Sequence, residues 1–131
     1  MEKDAIHDLV ERYVAVWNEP DAQARRAQIA SLWADDGEHC TPSLHVRGHA
    51  ALEQRVIGAW QKWVRDANHC FRSCRNADSH HGGVKFHWEM ITPEGEVSSL
   101  GFEFLVLGAD GRIAADYLFI EPASIRVARA A

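Results

Sequence analysis

The sequence has little cysteine, no excess of positive charge and no long apolar run. Its three cysteines, Cys40, Cys70 and Cys74, cannot all pair, and the opening Met1-Glu2-Lys3-Asp4 enters a charged amphipathic pattern rather than a signal-peptide core. Reduced thiols in the cytoplasm are the expectation, and a disulfide scaffold is not. No apolar stretch approaches the roughly 18 residues of a membrane span, so no membrane partner is expected. Lys and Arg number 14 against 19 Asp and Glu, a formal net charge of −5. Without a basic stripe to neutralise phosphates, nucleic acid is not an expected partner. Also missing are a phosphate-cradling glycine loop, a dinucleotide fingerprint, a Ser-His-Asp arrangement and paired-cysteine zinc spacing. Eight histidines are present, yet His45/His49 and His80/His81 fall in or beside expected loops without carboxylate partners. No metal and no cofactor are expected.

What is present suits one globular domain over 1–131. Hydrophobic residues make up 47% of the 131 and charged residues 25%, enough for a core without disulfide or metal. Ile6, Leu9, Val10, Tyr13, Val14, Val16 and Trp17 recur at helical spacing over 4–18. A second helix is expected over 21–34 and ended by Asp35-Asp36-Gly37, with a short extended piece at 38–41 stopped by Pro42. A third runs over 49–65, with Leu52, Val56, Trp60, Trp63 and Val64 at three- and four-residue spacing. From residue 69 the period becomes two, and strands are expected near 69–76, 83–92, 96–107 and 112–121, with a frayed tail from Pro122. Helices first and a meander afterwards make an α+β fold.

Turn positions register the later strands. Across Glu94-Gly95, Phe86 is expected opposite Glu103, and Trp88 opposite Gly101, where a missing side chain leaves room for the indole. Across Gly108–Gly111, Glu103 is expected opposite Asp116, Gly101 opposite Leu118 and Phe102 opposite Tyr117. Glu103 then shares a face with Phe86, Trp88, Leu105, Leu107, Leu118 and Ile120. The other face, with Phe102, Phe104, Val106, Tyr117 and Phe119, is apolar as well. A sheet apolar on both faces must be covered on both. Three helices cover one, and a second copy of the chain is expected on the other, through Phe102, Phe104, Tyr117 and Phe119.

Two carboxylates on the helix-covered face are costly, because like charges in an apolar setting do not both stay ionised. Either one lies wet at the sheet rim, or the pair is a general acid/base or hydrogen-bond-donor unit in a pocket. His39 shares a strand face with Thr41 and is either a satisfied core residue or a base. Tyr13 and Trp17, one helical turn apart, either pack or aim a phenol and an indole N–H into a cavity. Trp60 and Trp63 either wall its mouth or pack. Arg72 and Arg75 lie on a strand without a readable register, and no arginine is expected on the inner face.

The segments Arg12-Tyr13-Val14-Ala15-Val16-Trp17-Asn18, Leu32-Trp33-Ala34-Asp35-Asp36-Gly37, Gly48-His49-Ala50-Ala51-Leu52, and Gly101-Phe102-Glu103 running on to Asp110-Gly111-Arg112-Ile113 resemble the nuclear transport factor 2 (NTF2)-like superfamily, its SnoaL-like and ketosteroid isomerase-like members in particular. The resemblance implies a cone of curved, mostly antiparallel sheet closed by three N-terminal helices, usually dimeric through the outer sheet face. It also implies a phenol in an oxyanion hole at Tyr13 and a protonated, hydrogen-bond-donating acid at Glu103, the arrangement for which ketosteroid isomerase is the worked example. The isomerase's general base, an Asp before a Pro, is replaced by Thr41 before Pro42. Ketosteroid isomerase activity itself is thus not expected, and His39 or Asp116 has to serve as base. The expectation is a small-molecule pocket protein, whether an isomerase, cyclase or hydrating enzyme or a binding or interaction module. The expected pocket holds Tyr13, Glu103, Asp116 and His39 among Trp17, Thr41, Trp60, Trp63, Phe86, Trp88, Leu105, Leu118 and Ile120.

Overall fold

The computed structural model describes residues 2–128. Helix α1 (Lys3–Asn18) buries the predicted apolar stripe from Ile6 to Trp17, and α2 (Ala22–Leu32) starts at Asp21, whose carboxylate accepts from the Ala24 N–H at 2.8 Å. Helix α3 (His49–Ala59) runs on into a π-helical stretch, Trp60–Asp66, where a continuous α-helix is expected from the spacing. The strands are β1 (Trp33–Cys40), β2 (His45–Arg47), β3 (Cys70–Ser73), β4 (Asp78–His80), β5 (Gly83–Ile91), β6 (Val97–Leu107) and β7 (Ile113–Ile120). They form one curved sheet ordered β2-β1-β7-β6-β5-β3, with β4 also paired to β5. Only β1 and β7 run parallel. All other pairs are antiparallel. The three helices pack on the concave face of this mixed, mostly antiparallel sheet, and the core lies between. Residues 122–128 hold no helix or strand, and the end of the expected tail, 129–131, lies outside the described residues.

Several boundaries differ from the sequence reading for local reasons. The second helix stops at Leu32, and Asp35-Asp36-Gly37 lies inside β1, at a break in its register with β7. A β-carbon on Gly37 would meet the Ile113 carbonyl at 2.9 Å, so a close backbone approach keeps that residue bare. Pairing with β7 overrides the turn propensity of those residues. The expected strand at 69–76 breaks after Ser73, where Arg75 takes a positive φ of 57° and β4 starts afresh at Asp78. Cys70 and Cys74 therefore do not share a strand face; one is exposed and the other buried.

The β5–β6 register is as expected, Phe86 opposite Glu103 and Trp88 opposite Gly101. The β6–β7 register is not. Glu103 stands opposite Leu118, Phe102 opposite Phe119, Gly101 opposite Ile120, and Asp116 opposite Leu105. The loop from Gly108 to Arg112 encloses an odd number of residues, which alone would flip one strand. A bulge between Val106 and Leu107's partners adds one more residue and restores the faces. Glu103 and Asp116 accordingly remain on the inner face, as diagonal rather than direct neighbours.

Candidate functional site

A cavity of about 360 Å³ opens between the helices and the concave face of the sheet. Tyr13, Val14 and Trp17 from α1 form one wall, and Arg55, Ala59 and Trp63 from α3 and its continuation form another. Trp88 and Met90 of β5, with Leu118 and Ile120 of β7, supply the apolar floor, and Glu103 of β6 is the one carboxylic acid lining it. The Thr41-Pro42-Ser43 loop, Phe71 and Ser99 complete the lining. Trp60, Phe86 and Leu105, expected in the wall, do not line the cavity. Phe86 and Leu105 are core beneath it, and Trp60 stacks instead under the Arg25 guanidinium, 4.7 Å from the ring centre.

Below the floor the four chemistry-bearing side chains meet. Tyr13 Oη donates to Asp116 Oδ2 at 2.6 Å, and His39 Nδ1 lies 2.8 Å from the same oxygen. The Arg55 Nε–H points at His39 Nε2 across 3.4 Å. A guanidinium only donates, so the ring proton of His39 sits on Nδ1 and is given to Asp116. Trp88 Nε1–H donates to Glu103 Oε1 at 3.0 Å. That indole is in place because residue 101 is glycine: a β-carbon there would fall 2.0 Å from Trp88 Cε2.

Glu103 and Asp116 are both fully buried, and their environments drive them apart. Burial, then the charge of Asp116 and a hydrogen bond to it, pushes Glu103 well above the usual carboxylate range. Burial also opposes ionisation of Asp116, but the His39 ring and hydrogen bonds from Glu103, His39 and Tyr13 hold it below that range. Burial, followed by the nearby acids, raises the Tyr13 phenol well above its ordinary value. Among the described residues, Glu103 Oε2 and Asp116 Oδ1 are the two buried carboxylate atoms without another partner. A proton on Glu103 donated to Asp116 satisfies both. The result is one carboxylic acid, one carboxylate, and three donors converging on Asp116.

The sequence reading left open whether Glu103 and Asp116 are wet at a rim or paired inside; both are inside. The resemblance implies a phenol in an oxyanion hole at Tyr13; in the structure its hydroxyl donates to Asp116. His39 and Asp116, the expected bases, do not line the cavity; they stand behind Glu103 and Tyr13. Thr41 lines it, but its hydroxyl accepts from the Ser43 and Leu44 N–H groups and so shapes the loop. Arg72 bonds Glu89 at 3.0 Å, and neither it nor Arg75 reaches the cavity.

Arg55 is the residue the sequence reading missed. It falls in the apolar stripe of α3 formed by Leu52, Val56 and Ala59, and a lone arginine at that spacing was the available signal. His39, Glu103 and Asp116 are also the set that could hold a metal among the described residues, with ligand atoms within 4.8 Å of one another. An ion there would have to displace the protons on His39 Nδ1 and Glu103.

Compared by sequence alone, the chain matches no family model and no curated protein. Compared by structure, it is similar to a candidate isomerase of the SnoaL-like family from Agrobacterium tumefaciens, at 25% identity and a TM-score of 0.82, over 90% of this chain and 99% of the other. The chain has the NTF2-like fold. A SnoaL-like protein of unknown function from Burkholderia thailandensis matches at 18% identity and a TM-score of 0.71, over 93% of this chain and 99% of that one. An NTF2-like protein of unknown function from Exiguobacterium matches at 18% and 0.67, over 86% and 98%. No helix among the described residues is long and apolar enough to cross a membrane.

Proposed function

We propose that this NTF2-like chain is a pocket enzyme that moves a proton on an apolar, oxygenated small molecule, in an isomerisation, cyclisation or hydration. The observation that carries the reading is the carboxylic acid–carboxylate pair at the floor of an apolar-walled cavity. Glu103 is the member that meets substrate. As it takes a proton from a carbon beside a substrate carbonyl, it passes its own to Asp116. The C–H bonding pair becomes the enolate's, and the pair of acids ends with two protons instead of one. A protonated Asp116 is a weaker acceptor than its carboxylate, so Tyr13's hydroxyl is less firmly held and can turn to the new oxyanion. Return of a proton from Glu103 to a different atom completes the transfer. His39 and Arg55 act through Asp116 as positioning residues.

The test is hydrogen–deuterium exchange by NMR on a panel of apolar ketones and esters in D2O. Wild type should speed exchange at the carbon next to the carbonyl, and Glu103→Gln should abolish it. Exchange unaffected by the variant would contradict the mechanism. A second reading is a binding module without chemistry, favoured by Thr41, whose hydroxyl stands where an isomerase keeps its base and is spent on a turn. A ligand that binds and returns without deuterium supports that reading.

The uncharged outer face of β6 and β7 supports a homodimer, with Phe102, Phe104, Tyr117 and Phe119 meeting their copies about a two-fold axis. None of the three cysteines forms a disulfide, which suits a cytoplasmic setting.

A further inference from the structure

Arg55 is a cation in the wall of the cavity that no anion among the described residues meets. Its neighbours include a histidine nitrogen, His39 Nε2 at 3.4 Å, and the Trp17 ring, whose centre lies 5.4 Å from its Cζ. Among the described residues no carboxylate comes within ion-pair distance of it. Glu53, on the same helix, is held by Arg26 at 2.7 Å, and Glu38 by His45 at 2.8 Å. The one ionised acid nearby, Asp116, is closed off behind His39 and already accepts from three donors. The single long bond to His39 uses one of the guanidinium's five N–H groups, leaving an edge of its fork for something else.

A half-buried arginine held over an indole presents its fork to a planar, two-oxygen acceptor, and a guanidinium matches a carboxylate with two parallel bonds. A phosphate dianion would call for a second cation, and Arg55 is the one basic side chain lining the cavity among the described residues. Ser43 and Ser99 add small hydroxyls to a lining that is otherwise mostly apolar.

We propose that the cavity's ligand is an apolar carboxylic acid, bound as its carboxylate by Arg55 with its hydrocarbon body across Trp17, Trp63 and Trp88. This rests on the cavity being a ligand site and not on proton transfer by Glu103. Arg55 then has two roles on one side chain: it anchors the ligand's charge and fixes the tautomer of His39.

Isothermal titration with matched probes tests it: 3-phenylpropanoate and cinnamate, each against its primary amide, on wild type, Arg55→Met and Glu103→Gln. The carboxylates should bind wild type about ten-fold or more tightly than the amides, the range of one charge-assisted bond pair. Arg55→Met should erase that preference while still binding the amides, which shows that its cavity is intact, and Arg55→Lys should restore part of it. Glu103→Gln should keep the preference even where it loses proton exchange, so failure of the mechanism and failure of this proposal read differently. Equal binding of acids and amides by wild type, a preference that survives Arg55→Met, or no saturable binding by either acid would each overturn the proposal.

Discussion

Strands β6 and β7 turn two unlike faces outward and inward, and the usual order is reversed. Their inner residues include Glu103 and Asp116, both fully buried, while their outer residues Phe104, Tyr117 and Phe119 are 38%, 41% and 52% exposed. In an ordinary half-buried strand the acids would face water and the aromatics the core. Placing charge-capable groups inside costs desolvation that only a converging set of donors offsets. Leaving aromatics outside tells the opposite story, of a surface waiting for another surface.

Removing the acid that all the donors face should break the inner side most. Asp116→Ala leaves Tyr13, His39 and Glu103 pointing at nothing and should cost about 3–5 kcal/mol, read from urea unfolding. Gly101→Ala should come next. Its β-carbon clashes with Trp88, so the indole must leave Glu103, at about 1–3 kcal/mol, with a shift in tryptophan fluorescence. On the outer side, Phe104→Lys should change the chain's own unfolding by no more than about 1 kcal/mol. Light scattering should instead show monomer for the variant and, on the homodimer proposal, dimer for wild type. A monodisperse dimer for that variant would mean the outer face is not the contact.

The smallest effect should be the most telling about protons. Glu103's folded value is raised, so the folded protein binds more protons than the unfolded chain once pH exceeds the ordinary carboxylate value of about 4.3. Wild-type stability contributed by this group therefore falls as pH rises from there towards its raised value. Glu103→Gln has no such slope, and should gain on wild type as pH rises through that window, in parallel thermal melts. Asp116 has the opposite sign. Its depressed value gives stability that is present above its ordinary range and is lost as pH falls through the folded value.

Much of the fold was readable because it rests on periodicity: the α1 stripe and the β5–β6 pairing, anchored by the Trp88–Gly101 fit, follow from spacing alone. The β6–β7 register did not, because an odd loop and a bulge each add one residue, and neither leaves a local mark stronger than Gly108 and Gly111. The inner-face acids survived that error since two one-residue shifts restore parity. Within the candidate site, Tyr13, Glu103, Asp116 and His39 could be gathered from strand faces and resemblance. Which of them meets the cavity could not, because that depends on depth along the cone and not on face. Arg55 was hidden for the same reason: strand parity says nothing about what a helix sends across.

The direct test of the buried pair is infrared difference spectroscopy of wild type against Glu103→Gln at neutral pH, with uniformly ¹³C-labelled Glu. A protonated-carboxyl band that shifts with the label and vanishes in Glu103→Gln is the expected result, leaving Asp116 ionised. A wild-type spectrum without that band, or a band that persists in the variant, would contradict a proton held on Glu103.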